Sequence, residues 1–291
     1  TCAPGNHTAS EDTCAPGNHT ASEDTCAPGN HTASEDTCAP GKHATIELFV
    51  PASYEEMTPS LHKYILQFMC FDGISLTDAV TLGVYAENGL LPTQSDRLKD
   101  LTEAQEKELL YQVCNRLQWL ETEERPFYVE RIGKNRKVKP MWFDSMKLGE
   151  WLKMMNIYEG IVEGVSIPTK EYTQAEKEAY LNRLLAMHID LVKCICPTLK
   201  KDEYQKWHAV LALRMIACNE KRYYRMFPEL FKPMGQNPGK NAAIRSRIQE
   251  QYALIRTLSK GDVTKDAAVL DTPLLDCFLE LQAMKQEESK D

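Results

Sequence analysis

The sequence opens with a twelve-residue unit, TCAPGNHTASED, that occurs three times without change at positions 1–12, 13–24 and 25–36. A fourth copy begins at Thr37 and diverges after its first five residues. The unit has no aromatic residue and no aliphatic side chain larger than alanine. It cannot bury enough apolar surface to offset the entropy lost on ordering. We therefore expect residues 1–44 to be a disordered spacer.

The same repeat carries residue types that bind metals or accept glycans. Each copy places a histidine five residues after a cysteine, and thiolate with imidazole is a zinc ligand set. The cysteines lack the short spacing of structural zinc sites, and the Asn-His-Thr sequons matter only in a secretory route. A metal-binding repeat remains an alternative, with these candidate ligands: Cys2, His7, Cys14, His19, Cys26, His31, Cys38 and His43.

The charge of the chain lies unevenly along the sequence. The net charge is -8 over 291 residues, and residues 1–44 contribute -5 through six acids and one lysine. The remainder carries 36 acids and 33 bases, so it is close to neutral. Such a balance does not suggest a partner that is a nucleic acid or a membrane surface. The sequence has no apolar run of about 18 residues, so we expect no transmembrane helix.

Residues 45–291 predict a mainly α, multi-helix domain. The run TIELFVP over 45–51 predicts one short N-terminal strand. Asn88-Gly89 is typical of a helix end. We expect one domain over 45–291, with a subdivision near 164–172 as the alternative.

Several polar residues predict where individual helices begin. Thr102 and Thr173 are each followed three residues later by Gln or Glu, which is the pattern of a capping box. An apolar stripe from Leu109 through Val113 and Leu117 to Leu120 then predicts a long amphipathic helix. Asp144 is the expected N-cap of the helix that follows it.

Two β-like runs flank Gly133-Lys134-Asn135 and predict a small hairpin near 127–140. Tyr128, Trp142 and Phe143 flank its bases, so the segment is a candidate for binding phosphates or the acidic surface of a partner. An exposed turn with solvated charges is the simpler interpretation. The candidate binding residues are Arg131, Lys134, Arg136, Lys137 and Lys139.

The sequence lacks the common catalytic motifs. We find no phosphate-binding loop, dinucleotide-binding fingerprint, zinc-protease motif or nucleophile elbow. His188, Cys194 and Cys196 lie close together, but His188 and Cys194 are six residues apart and point to different sides of a helix. Packing in the core is their better interpretation. We predict no catalytic residue, no cofactor and a function in binding or assembly.

The order of features in the body resembles a known class of proteins. LFVPASYEEMTPSLHKYILQF is followed by IGKNRKVKPMWFDSMKLGEWLKM, YLNRLLAMHI, MFPELF and LSKGDVTKDAAVLDTPLLDCFLEL. Over about residues 45–288 this order is similar to poorly characterised proteins encoded among the tail and head-tail genes of Bacteroidetes-type phages and prophages. These are packing motifs, so they imply no functional residue.

The resemblance implies a non-enzymatic role in virion morphogenesis, as a minor structural part or a tail-assembly chaperone. The expected partners are phage structural or assembly proteins, and we expect no membrane partner. The expected location is the bacterial cytoplasm during assembly, with the virion as a second location. Nucleic-acid binding through 131–139 is the alternative function.

Overall fold

The computed structural model describes residues 46–94, 96–99, 101–166, 172–231 and 240–288, with the backbone alone for 240–248. Residues 47–291 form one compact unit. The spacer predicted over 1–44 and the centre of the possible boundary at 164–172 lie outside the described residues. The predicted domain limits therefore stay a prediction.

The described part of the chain is mainly helical, which confirms the predicted fold class. It contains one two-stranded antiparallel sheet, formed by β1 and β2. The elements in order are α1 (Pro59–Phe68), α2 (Leu76–Glu87), α3 (Glu103–Arg116), β1 (Arg131–Ile132), β2 (Arg136–Lys137), α4 (Leu148–Val165), α5 (Gln174–Ile195), α6 (Lys206–Met226), α7 (Lys240–Leu258), α8 (Asp266–Leu270) and α9 (Leu274–Glu288).

Both predicted capping boxes are confirmed. The Thr102 N–H donates to Gln105 Oε1 at 2.8 Å, and α3 begins at the next residue. The same exchange between Thr173 and Glu176 precedes α5. The amphipathic stripe of α3 is shorter than predicted, because the helix ends at Arg116 and Val113 is its one buried residue.

The short strand predicted over 45–51 is wrong. Residues 46–51 are not part of any sheet. The side chain of Asn88, at the end of α2, takes the place of a neighbouring strand. Its Oδ1 accepts from the Phe49 N–H at 2.7 Å, and its Nδ2 donates to the Phe49 carbonyl at 2.9 Å. One amide side chain thus satisfies the backbone groups that a strand partner would pair.

An aromatic cluster joins the C-terminal helix to the rest of the core. The Phe278 ring lies 5.5 Å from Trp151, 5.2 Å from Tyr223 and 5.5 Å from Phe227, measured between ring centroids. Edge-to-face and tilted contacts of this kind stabilise beyond the apolar area that they bury. The cluster therefore packs α9 against both α4 and α6.

A polar clamp holds the segment 141–145 against α6. Asn219, which is 1% exposed, accepts from the Phe143 N–H at 3.0 Å and donates to the Met141 carbonyl at 3.1 Å. Arg222 binds both carboxylate oxygens of Asp144, at 2.6 and 2.9 Å. We name these contacts the α6 clamp.

The prediction that Asp144 caps the next helix is therefore wrong. Asp144 lies in a short 3-10 turn, and α4 begins only at Leu148, after Lys147 with no side-chain cap. Its carboxylate instead accepts from Arg222 and from the Tyr223 hydroxyl. A bidentate arginine pair stabilises a partly buried carboxylate more than a single N-cap hydrogen bond does.

We expect Asn219→Ala to lower the free energy of unfolding by about 2–4 kcal/mol, because the buried Phe143 N–H and the partly buried Met141 carbonyl lose their partner. Urea denaturation measures the change. Asn115→Ala is the matched control, since Asn115 is exposed and its side chain accepts from the exposed Gln118, and it should change stability by less than about 0.5 kcal/mol. Equal effects of the two substitutions would contradict the clamp.

Acid should destabilise the fold through two buried histidines. Burial lowers the pKa of His62 and of His208 from 6.5 to about 4. Each ring accepts a backbone N–H through Nδ1, His62 from Tyr128 and His208 from Gln205. Between pH 6.5 and 4 the unfolded chain therefore binds protons at these rings that the folded chain does not bind. The contribution of the neutral rings to the free energy of unfolding is complete above pH 6.5 and is lost as the pH falls towards 4.

Each histidine should contribute a slope of up to about 1.4 kcal/mol per pH unit in that window. We expect His62→Asn and His208→Asn each to flatten the dependence of the unfolding free energy on pH, since asparagine retains an acceptor and does not titrate. Urea titrations at several pH values measure the slope. An unchanged slope in both variants would show that these rings do not cause it.

Candidate functional site

The hairpin predicted near 127–140 is present, although its strands are short. Arg131 pairs with Lys137 and Ile132 pairs with Arg136. Gly133 and Asn135 have φ values of +54° and +59°, which glycine and asparagine adopt most readily. The Gly-Lys-Asn sequence therefore fixes the three-residue turn.

Apolar side chains anchor one side of the hairpin. Ile132 and Val138 are buried in the core. The Val138 N–H donates to the Glu130 carbonyl at 2.9 Å and extends the pairing beyond the strands. Because side chains alternate along an extended chain, Arg131, Lys137 and Lys139 lie on the side opposite these anchors.

Arg136 forms an internal ion pair. It extends towards Glu203, in the connection between α5 and α6, and its Nε donates to the Glu203 carboxylate. The two side chains are 21% and 9% exposed, so the pair is largely shielded from solvent. Glu203 raises the pKa of Arg136, and Arg136 lowers the pKa of Glu203. Arg136 thus fixes the hairpin and is not available to a partner.

Lys139 also contacts the body of the protein. Its Nζ lies 2.6 Å from a carboxylate oxygen of Glu150 in α4. Its backbone N–H donates to the Ile195 carbonyl at 2.8 Å, and its carbonyl accepts from the Tyr128 hydroxyl at 2.8 Å. Lys139 therefore joins the hairpin to the ends of α4 and α5.

Three of the five predicted bases remain exposed. Arg131, Lys134 and Lys137 form no ion pair with any residue that the structure describes. Glu130 is the one acid between positions 127 and 140. We call Arg131, Lys134 and Lys137 the hairpin bases. They project from a hairpin that two ion pairs and two core side chains hold in place.

The aromatic residues near the hairpin are already occupied. Phe143 is buried, and the Tyr128 hydroxyl is bonded to Lys139. The guanidinium of Arg222 lies 4.8 Å from the centre of the Trp142 ring. The buried Phe143 therefore offers no ring face to a nucleobase, and one face of the Trp142 ring already carries an arginine.

The predicted metal ligands cannot be placed. The cysteines and histidines of the repeat, Cys2, His7, Cys14, His19, Cys26, His31, Cys38 and His43, lie outside the described residues. Among the residues with described positions, no group of three or more His, Cys, Asp or Glu side chains is arranged to hold a metal ion. His188 Nδ1 lies 2.8 Å from the Leu184 carbonyl, a contact within its own helix.

A charged cleft of about 260 Å³ lies near the N-terminal end of the hairpin segment. Arg125 binds Glu123 and Glu55, and these carboxylates raise its pKa. The other arginines of the cleft, Arg222 and Arg225, bind Asp144 and Glu124. Every arginine of this cleft thus has a carboxylate partner, as in a structural ion-pair network.

Comparison of the chain with protein families, with curated proteins and with solved structures finds no match. Within the residues whose positions are described, no helix combines the length and the apolar character needed to cross a bilayer. The hairpin is the candidate site because it carries three exposed bases on a turn that ion pairs and core side chains hold in place. Its two internally paired bases could not be recognised from sequence, because Glu150 and Glu203 carry no local signal.

We expect Arg136→Ala to lower the urea midpoint of unfolding, because Glu203 then lies mostly buried without its cation. Lys134→Ala, at the exposed turn, should change the unfolding free energy by less than about 0.5 kcal/mol. The pair of variants separates the base that supports the hairpin from a base that solvent surrounds. Similar midpoints for both would mean that the Arg136–Glu203 pair contributes nothing to the fold.

Proposed function

We propose that this protein is a non-enzymatic assembly or minor structural protein of a phage or prophage, acting through protein–protein contacts. The hairpin bases are the proposed contact surface, and an acidic surface of a phage structural or assembly protein is the proposed partner. One observation carries the proposal. Three unpaired cations stand on a hairpin whose remaining bases are used to hold it rigid. The order of sequence features over 45–288 supports the phage context.

The chemistry of the hairpin favours a protein partner over nucleic acid. Single-stranded nucleic acid is bound by cationic grooves combined with aromatic rings on which bases stack. Here Phe143 is buried, an arginine lies over the Trp142 ring, and three bases of the hairpin lack an ion pair among the described residues. Tight binding to duplex DNA generally requires more phosphate contacts than three side chains make, and the chain as a whole is acidic, at -8. An acidic protein surface, by contrast, can bind a small group of cations without aromatic stacking and without a long row of basic residues.

We propose the bacterial cytoplasm as the place where these contacts form during assembly. Retention in the finished virion is the alternative location. Fractionation of a phage-producing culture, with detection of this chain in purified particles, distinguishes the two.

The test is co-purification of the tagged full chain from phage-producing cells. We expect phage structural proteins to be recovered with the unaltered chain. The triple variant Arg131→Glu, Lys134→Glu, Lys137→Glu should recover less than about a tenth as much. The three glutamates then face the acidic surface of the partner and repel it. Nuclease treatment should leave recovery unchanged.

Three exposed lysines elsewhere provide a control with the same change in net charge. Lys99, Lys107 and Lys265 are 70%, 75% and 65% exposed, and their replacement by Glu should leave recovery unchanged. If both triple variants recovered equally little phage protein, the loss would be caused by the net charge of the chain and not by the position of the hairpin bases. Recovery that depends on nucleic acid, with a steep dependence of direct DNA binding on salt, would replace the proposed function by the nucleic-acid alternative.

A further inference from the structure

A cleft of about 380 Å³ lies between α4 and the C-terminal half of α5, next to the hairpin. Ile157, Cys194 and Pro197 contribute apolar surface to its lining. The remaining lining residues are charged: Glu150, Lys153, Asp190 and Lys193. This volume lies within the range of about 300–1,000 Å³ that is typical of ligand pockets. We call it the α4–α5 cleft.

Lys139 connects the hairpin bases to this cleft. It pairs with Glu150 on the wall of the cleft, and its backbone bonds to Ile195 beside Cys194. Lys137 and Lys139 are two positions apart in an extended chain, so they project to the same side. The exposed side of the hairpin therefore leads directly to the rim of the α4–α5 cleft.

Two lysines and two acids line the cleft, and Lys139 on the hairpin adds a third positive charge beside it. Glu150 is neutralised by Lys139, and Asp190 lies 3.6 Å from Lys193. Lys153 is exposed and has no ion pair with a residue that the structure describes. Lys153 on the cleft and the three hairpin bases beside it are thus four cations without an ion pair among the described residues, next to a lining that is partly charged and partly apolar. The complementary ligand is acidic and carries an apolar group.

We propose that an acidic peptide segment of the partner lies along the hairpin and inserts one apolar side chain into the α4–α5 cleft. The proposal rests on the proposed function and specifies the chemistry of the partner. Glutamates or aspartates pair with the hairpin bases and Lys153. The apolar side chain contacts Ile157 and Pro197.

This arrangement suits a peptide better than a nucleic acid or a small anion. The lining of the cleft includes no aromatic ring among the described residues, so a nucleobase would find no stacking surface. A small anion would not use the apolar walls. An extended peptide, by contrast, advances about 3.3 Å per residue and can contact bases on a strand and a cleft beside it.

The probes are two short fluorescein-labelled peptides of glutamate and glycine, identical except for one central residue, leucine or alanine. Fluorescence anisotropy with the full chain measures their affinities. We expect the leucine peptide to bind about tenfold more tightly, because its side chain is buried in the cleft. Lys153→Glu should weaken both peptides, and Lys107→Glu should weaken neither.

Lysine acylation followed by mass spectrometry gives a second readout that needs no variant. The leucine peptide should protect Lys153 and Lys193 and leave Lys107 reactive. Equal affinities of the two peptides, absence of binding by both, or unprotected Lys153 and Lys193 would each overturn the inference. If co-purification still depends on the hairpin bases in that case, the proposed function stands and the cleft is not part of it.

Discussion

The α6 clamp is the contact on which the position of the hairpin and of α4 depends. Asn219 and the Asp144–Arg222 pair connect the segment 141–145 to α6 across 76 and 78 residues of sequence. That segment is the direct continuation of the hairpin and leads into α4. Each buried backbone group in it needs a partner, because an unsatisfied one costs about 1–3 kcal/mol. Side chains of a rigid helix supply those partners, so the segment has one position.

The candidate site follows from this fixed geometry. With its C-terminal end clamped, the hairpin is oriented by Ile132, Val138 and the Arg136–Glu203 pair. Lys139 then meets Glu150 at the start of α4. Arg131 and Lys137 project from the side opposite the core anchors and Lys134 lies at the turn, where no carboxylate of the described residues forms an ion pair with them. The division into supporting and exposed bases is thus a consequence of how the body packs.

Sequence patterns predicted the features that depend on neighbours within a few residues. Thr102 with Gln105, Thr173 with Glu176, and the Gly133–Asn135 turn all act locally, and all were predicted correctly. Asp144 was predicted to cap a helix because its partner, Arg222, is distant in sequence. The strand expected over 45–51 is absent from the described residues 46–51 because the backbone of Phe49 pairs with the side chain of Asn88, which is also distant in sequence. The candidate bases were found from sequence, but their availability depends on Glu150 and Glu203, which only the folded chain places beside them.

The two parts of the proposed surface have different physical roles. Exposed cations act over a Debye length of about 8 Å at physiological ionic strength, so the hairpin bases chiefly affect the rate and orientation of encounter. Lifetime depends more on apolar groups buried after contact, since mutations within an interface change dissociation more than association. A surface of hairpin bases alone would bind acidic partners briefly and with little selectivity. The adjacent α4–α5 cleft supplies the short-range contact that would distinguish one acidic segment from another.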